Sequence, residues 1–126
     1  MKTVLVPIAP GFEEIETITV VDILRRSGAR VTLAGTEEGP LKGSRGILVL
    51  PDDALNNIME KDFDLIVLHG GQPGTDNLRK DARVAQLLKK MDGLSKNIAA
   101  ISAAPLVLMD AGILGNRYIT THLSPK

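Results

Sequence analysis

Three runs in this chain are apolar almost without a break: Lys2 to Ile8, Asp64 to Leu68 and Ile98 to Ile101. A strand with one wet face alternates; a strand buried on both faces does not. A further run, Ala29 to Gly35, does alternate. Stretches of helical spacing separate these runs, which predicts an α/β fold with a mostly parallel sheet covered by helices on both sides. With 126 residues the chain suits one domain, residues 1–126, built around one core region.

Between the first two strands, Glu13 to Ser27 reads as a helix. It carries acidic residues in its first turn and Arg25 and Arg26 in its last, as the helix dipole favours, and Gly28 supplies the stop. Ile15, Ile18, Val21 and Leu24 form its expected buried stripe, which leaves Glu13 and Glu14 to a solvated face. Thr36 to Ser44 is a charged, glycine-containing connection, and Arg45 to Leu50 is expected to form another strand. Asp52 to Met59 reads as a short helix capped by Asp52 or Asp53. His69 to Gly74 is a glycine-rich turn following the Asp64 to Leu68 strand. Ala82 to Met91 is helical, with Val84, Leu87, Leu88 and Met91 inward and Gly93 ending it. A loop around Gly112 to Asn116 leads to a last strand, Tyr118 to His122.

Composition closes off several functions. Fifteen basic residues balance fifteen acidic ones and aromatics amount to 2%, so neither a phosphate backbone nor stacked bases find an obvious surface. No apolar run approaches a membrane span, and no signal-peptide pattern opens the chain, so a soluble, cytoplasmic protein is expected. The chain has no cysteine, which removes disulfides and thiolate metal sites, and two histidines argue against a histidine-rich metal site. Neither a metal nor another cofactor is expected. The glycine-rich turn lacks both G-x-G-x-x-G spacing and a Walker lysine, which disfavours dinucleotides and P-loop phosphates.

In parallel α/β sheets ligands sit beyond the carboxyl ends of the strands. That rule selects Glu16, Gly70, Gly71, Ser102 and His122. Ser102 stands where an apolar run stops and a second begins after Pro105, with Ala100 and Ala104 two residues to either side. Small residues there suit a tight strand-to-helix turn that exposes a nucleophile, and proline suits a first helical turn. An ordinary turn with a serine N-cap fits the same pattern. Gly70 and Gly71 permit a turn whose N–H groups, with that of Ala103, could hold an oxyanion. Glu16 could serve as general acid or base, and His122 could orient or deprotonate a nucleophile. For each, a plain structural role fits as well when the residue is taken alone.

Together, V-P-I-A-P-G-F-E-E-I-E-T, V-D-I-L-R-R-S-G, V-T-L-A-G, L-H-G-G-Q-P-G, A-A-I-S-A-A-P and I-T-T-H resemble, in order, the blocks of the ThiJ/PfpI superfamily. Within it the chain is similar to the DJ-one (parkinsonism-associated deglycase) and ThiJ-like branch. The resemblance implies a flavodoxin-like three-layer sandwich and a homodimer. It implies a glyoxalase or deglycase activity on a small aldehyde substrate, an α-oxoaldehyde or its early adduct. It places the reactive position at Ser102, the glutamate that hydrogen-bonds the nucleophile at Glu16, and backbone donors at Gly70 and Gly71. His122 matches the histidine closing the pocket, and Arg45 resembles an arginine reaching toward the site near the dimer interface. A redox-stress sensor or chaperone-like dimer is the alternative. An amidase is disfavoured, since Ala103 stands where protease-like members carry histidine.

Three departures follow from the same resemblance. The family nucleophile is cysteine, whereas position 102 is serine, which needs a real general base and cannot enter the thiol oxidation ladder. As written, the chain is expected to be catalytically weak or inactive. Family members run on through further elements, so residues 1–126 correspond to the N-terminal portion of the domain, and a separate C-terminal fragment is an expected partner. His69 replaces a proline of the human-type relatives and is expected at the pocket rim.

Overall fold

The computed structural model describes residues 1–113. In chain order its elements are β1 (Thr3–Ile8), α1 (Glu14–Arg26), β2 (Arg30–Gly35), β3 (Leu41–Lys42), β4 (Leu48–Val49) and β5 (Asp53–Ala54). A 3-10 turn (Leu55–Asn57) follows, then β6 (Leu65–Leu68), α2 (Gly74–Lys80), α3 (Ala82–Gly93), β7 (Asn97–Ala100) and α4 (Pro105–Ala111). Five strands form a parallel sheet in the order β5-β2-β1-β6-β7, and β3 and β4 form a separate antiparallel hairpin. The α/β class and the parallel sheet expected from the sequence are both present.

Register explains why the central strands are apolar throughout. β1 pairs with β2 from Thr3–Arg30 to Ile8–Gly35, and β6 pairs with β7 from Leu65–Asn97 to Leu68–Ala100. Val4, Val6 and Ile8 of β1 and Val67 of β6 pack on one side with Val21 of α1. Leu5, Ile66 and Leu68 pack on the other with Val84, Leu87, Leu88 and Met91 of α3 and Val107 and Leu108 of α4. Successive residues thus serve opposite layers, each fully buried aliphatic side chain contributing about 1.5–3 kcal/mol of transfer free energy. The four inward residues expected in α3 are all buried.

Four expectations need correction. α1 is where it was expected, but its inward stripe is Glu14, Thr17 and Val21, whereas Ile15 is 76% exposed and Ile18 45%. Hydrophobicity misplaced this face because backbone N–H groups satisfy the Glu14 carboxylate, so a charged residue can occupy the inner side. Arg45 to Leu50 is a strand only at Leu48–Val49, with Arg45 and Gly46 in the turn before it. Asp52 to Met59 holds the edge strand β5, which extends the sheet beside β2, and a 3-10 turn in place of a helix. The fourth is α2, a helix over residues for which no element was expected. It starts on Gly74 with no side-chain cap, which removes the usual start signal. Asp81 closes α2 and caps α3, accepting from the Arg83 N–H at 2.9 Å. The expected strand Tyr118 to His122 lies outside the described residues.

Candidate active site

The strand order reverses between β1 and β6, and the loops leaving their carboxyl ends are pressed together. Gly74 donates to the Gly11 carbonyl at 3.1 Å and the Asn77 side chain to the Pro10 carbonyl at 2.8 Å. Into this seam comes the first turn of α1. Its N-cap, Glu13, accepts from Ile15 N–H and donates its own N–H to the Gly70 carbonyl at 3.3 Å. One turn on, Glu16 accepts the Gly70 N–H on Oε1 at 2.9 Å. Both sides of one residue's backbone are therefore held by α1.

Ser102 sits just past β7 in a left-handed conformation, φ 58°. For a non-glycine residue that backbone costs about 1–2 kcal/mol and persists only where the surroundings enforce it. The enforcement is visible in the hydrogen bonds on either side. Ile101 donates to the Leu68 carbonyl at 3.2 Å, Ala104 donates to the Ile101 carbonyl at 2.9 Å, and Ala103, Ala104 and Pro105 are buried. The N-cap of α4 is Ala104, with Pro105 opening the helix. Ser102 is therefore no capping serine. Of the two patterns that fit the sequence, the structure has the strained strand-to-helix elbow.

Gly70 makes the elbow possible. A Cβ added there would fall 2.7 Å from Ser102 Cβ and 2.8 Å from Ser102 Oγ, with Ala103 N at 3.1 Å. Only glycine lets β6 approach the elbow so closely. Gly70 thus links the carboxylate of Glu16 to the hydroxyl of Ser102. Of the three backbone donors expected around Ser102, the Gly70 N–H is directed at Glu16 and is taken by it.

The remaining expected site residues are placed less centrally. Arg45 is exposed; its backbone N–H donates to Glu14 Oε2 at 2.8 Å, and among the described residues its guanidinium has no ion-pair partner. His122 lies outside the described residues. His69 is 2% exposed, which makes it a core residue and not a rim residue. Its two ring nitrogens have no hydrogen-bond partner among the described residues, and burial lowers its pKa to about 4. Among the described residues no group of three or more His, Cys, Asp or Glu side chains gathers as a metal would require, and no helix is long and apolar enough to cross a membrane.

Sequence reasoning missed Glu14. It is 5% exposed and accepts from Ser44 Oγ (3.1 Å), Arg45 N–H (2.8 Å) and Ile47 N–H (3.2 Å). The available signal was the Gly43-Ser44-Arg45-Gly46 turn, whose free N–H groups need an acceptor, but nothing local says which acid supplies it.

Comparison with known proteins agrees with this geometry. The DJ-1/PfpI family profile matches residues 2–126. The chain is 40% identical over 126 residues to Protein dj-1beta of Drosophila melanogaster, covering 99% of this chain and 67% of that protein. It is 37% identical over 126 residues to a Caenorhabditis elegans protein named glutathione-independent glyoxalase DJR-1.2, with the same coverage of 99% and 67%. The solved structure of oxidized Toxoplasma gondii DJ-1 superposes with a TM-score of 0.93 at 36% identity, over 96% of this chain and 67% of that one. The chain therefore spans about two thirds of the length of these relatives. On fold, elbow and sequence together, this chain belongs to the DJ-1/PfpI family.

Proposed function

We propose that the site at the β6–β7 end is that of a glyoxalase or deglycase acting on small α-oxoaldehydes, carried here in a form with a disabled nucleophile. The observation that carries this reading is the left-handed elbow at Ser102, closed by Gly70, whose N–H is held by Glu16. The name of the C. elegans relative supports the substrate class.

With a thiol at position 102, the thiolate would add to the aldehyde carbon and place the new oxyanion near the Gly71 and Ala103 N–H groups. Glu16 would move a proton between the two carbons of the hemithioacetal, and water would release a hydroxy acid. The net change is addition of one water to the oxoaldehyde. A serine hydroxyl has no comparable route to its anion without a strong base. Glu16 bound to an amide is not an imidazole backed by a carboxylate, as a serine triad requires. The chain with Ser102 is therefore weakly active or inactive, and His122 belongs to the proposed pocket through the family match alone. Restoring the thiol with Ser102→Cys and following methylglyoxal consumption tests this reading.

Self-association is the second element. Ile15 and Ile18 of α1 and Ile47, Leu48 and Leu50 of the hairpin region are exposed, in number beyond scattered surface apolar residues. Two copies related by a two-fold axis, with α1 antiparallel to α1, would set the exposed isoleucines of one helix against those of the other. That self-complementarity favours a homodimer, with Arg45 at its margin. The dimer is also what would carry a chaperone-like role; without cysteine, thiol sensing at position 102 is closed to this chain.

A further inference from the structure

Two ionisable side chains are buried among the described residues, Glu14 and His69. Glu14 is satisfied by Ser44 Oγ and by the N–H groups of Arg45 and Ile47. His69 is not satisfied: neither ring nitrogen has a hydrogen-bond partner among the described residues. Burial keeps the ring neutral, with a pKa of about 4. An imidazolium in its place would carry two N–H donors, each needing an acceptor. The titratable groups of the surrounding elements are engaged already. On α1, Glu13 accepts the Ile15 N–H, Glu14 holds the hairpin turn and Glu16 accepts the Gly70 N–H. Asp76 of α2 and Asp110 of α4 both lie against Arg79, at 3.6 and 2.6 Å. β1, β6 and β7 end at this side of the sheet in the apolar Ile8, Leu68 and Ala100.

His69 also stands where the sheet stops. The β6–β7 pairing ends at Leu68–Ala100, followed by one bond from Ile101 N–H to the Leu68 carbonyl at 3.2 Å. The next residue is His69, and two glycines follow it. Among the described residues, three hydrogen bonds hold those glycines: Glu13 N–H to the Gly70 carbonyl at 3.3 Å, Gly70 N–H to Glu16 at 2.9 Å and Thr75 N–H to the Gly71 carbonyl at 2.8 Å. A loop tied down by so few bonds opens at less cost than the sheet behind it. Glycine gives its backbone the freedom to swing.

We propose that His69 is an acid-sensitive latch: when its ring takes up a proton it leaves the interior, the Gly70–Gly71 loop opens with it, and the Glu16–Gly70–Ser102 unit comes apart while the sheet stays folded. The open loop binds a proton that the closed loop does not, so its population rises as the pH falls below the ordinary histidine value of about 6.5. Whatever reaction the site performs, the latch acts on the loop, and substrate is not needed to detect it.

The test is native-state amide exchange of the 126-residue chain at Glu13, Gly70 and Thr75, set against amides of β1. It is run at about pH 7.5 and about pH 5 over a series of low urea concentrations. His69→Leu and His69→Gln provide chains that cannot titrate at this position, and one folded variant suffices, with β1 protection reporting the fold. After correction for intrinsic exchange, opening at the three loop amides is expected to be at least tenfold more populated at the lower pH and insensitive to urea. The same amides should change by less than twofold in the variants, and β1 should exchange only through urea-dependent opening. The ring's own titration in the parent, followed by its carbon resonance, should track the loop amides. Glu16 is present in every chain, so acid loosening that survives in the variants belongs to the carboxylate and overturns the proposal. A loop whose protection does not change with pH, a loop that opens only together with β1, or a ring that titrates out of step with the loop overturns it as well.

Discussion

The Glu16 carboxylate accepts the Gly70 N–H at 2.9 Å, and Gly70 is the residue against which Ser102 is packed. An acid on the first helix and a hydroxyl after the last described strand are thereby joined through a single peptide unit. The bond uses one oxygen of Glu16, and in the proposed mechanism the proton is carried on the other. In a Ser102→Cys background, Glu16→Gln should keep the amide contact, since a carboxamide oxygen still accepts, at a stability loss of about 1 kcal/mol. Turnover of methylglyoxal should nevertheless fall by about 10²–10⁴-fold, the range typical of losing an acid–base group. Urea unfolding and steady-state rates measured on the same samples separate the two effects.

Gly70→Ala tests the close approach. The added methyl would sit inside the contact distance of Ser102 Cβ and Oγ, so β6 or the elbow must move. A destabilisation of about 1–3 kcal/mol is expected, as for other overpacked sites, together with loss of the activity of the Ser102→Cys form. Full activity in Gly70→Ala would show that the elbow does not depend on this contact.

His69 gives a pH dependence of defined sign. Its folded pKa, about 4, lies below the ordinary value because burial disfavours the imidazolium. Between about pH 6.5 and 4 the unfolded chain binds a proton that the folded chain does not. The stabilising difference is complete above the ordinary histidine value and is lost as the pH falls toward 4, an integrated change of about 3 kcal/mol. His69→Leu should flatten that part of the profile. At pH 7 it should also raise stability by about 1 kcal/mol, because it removes two buried nitrogens that have no partner among the described residues. Urea midpoints from pH 7 to pH 4 in both proteins measure it.

The orientation of α1 is checked by a pair of alanine substitutions. Val21→Ala removes buried methyl groups from the layer shared with Val4, Val6 and Val67 and should cost about 1–3 kcal/mol. Ile15→Ala removes a larger but exposed side chain and should change stability by less than about 0.5 kcal/mol. Equal losses would mean that the helix is turned differently.

This helix also marks the limit of what residue order reveals. Its start, its end and its charge gradient were legible because capping and dipole signals are local, and so were β1, β2, β6 and α3, whose burial patterns follow directly from apolar spacing. The inward face of α1 was legible only in its second half, at Val21 and Leu24. Glu14 and Thr17 point in and Ile15 and Ile18 point out, a choice made by the distant turn at Ser44 to Ile47 and by surface chemistry that spacing alone cannot register. β5 was misread as helix because a two-residue edge strand acquires its identity from its partner, Ala34–Gly35, and α2 was missed because it begins on glycine. Residue order also selected Ser102, Gly70 and Glu16 as candidates, and the structure joins these three in one connected unit. The assignment of the Gly70 N–H to Glu16 depends on a contact between residues 54 positions apart and had no sequence signal.

The most direct test of the account is the rate at which this chain and its Ser102→Cys variant convert methylglyoxal to lactate under the same conditions. The account predicts little or no conversion by the serine form and clear, thiol-dependent turnover by the cysteine form, abolished by alkylation. Equal rates in the two proteins, or no turnover with the cysteine in place and the fold intact, would contradict it.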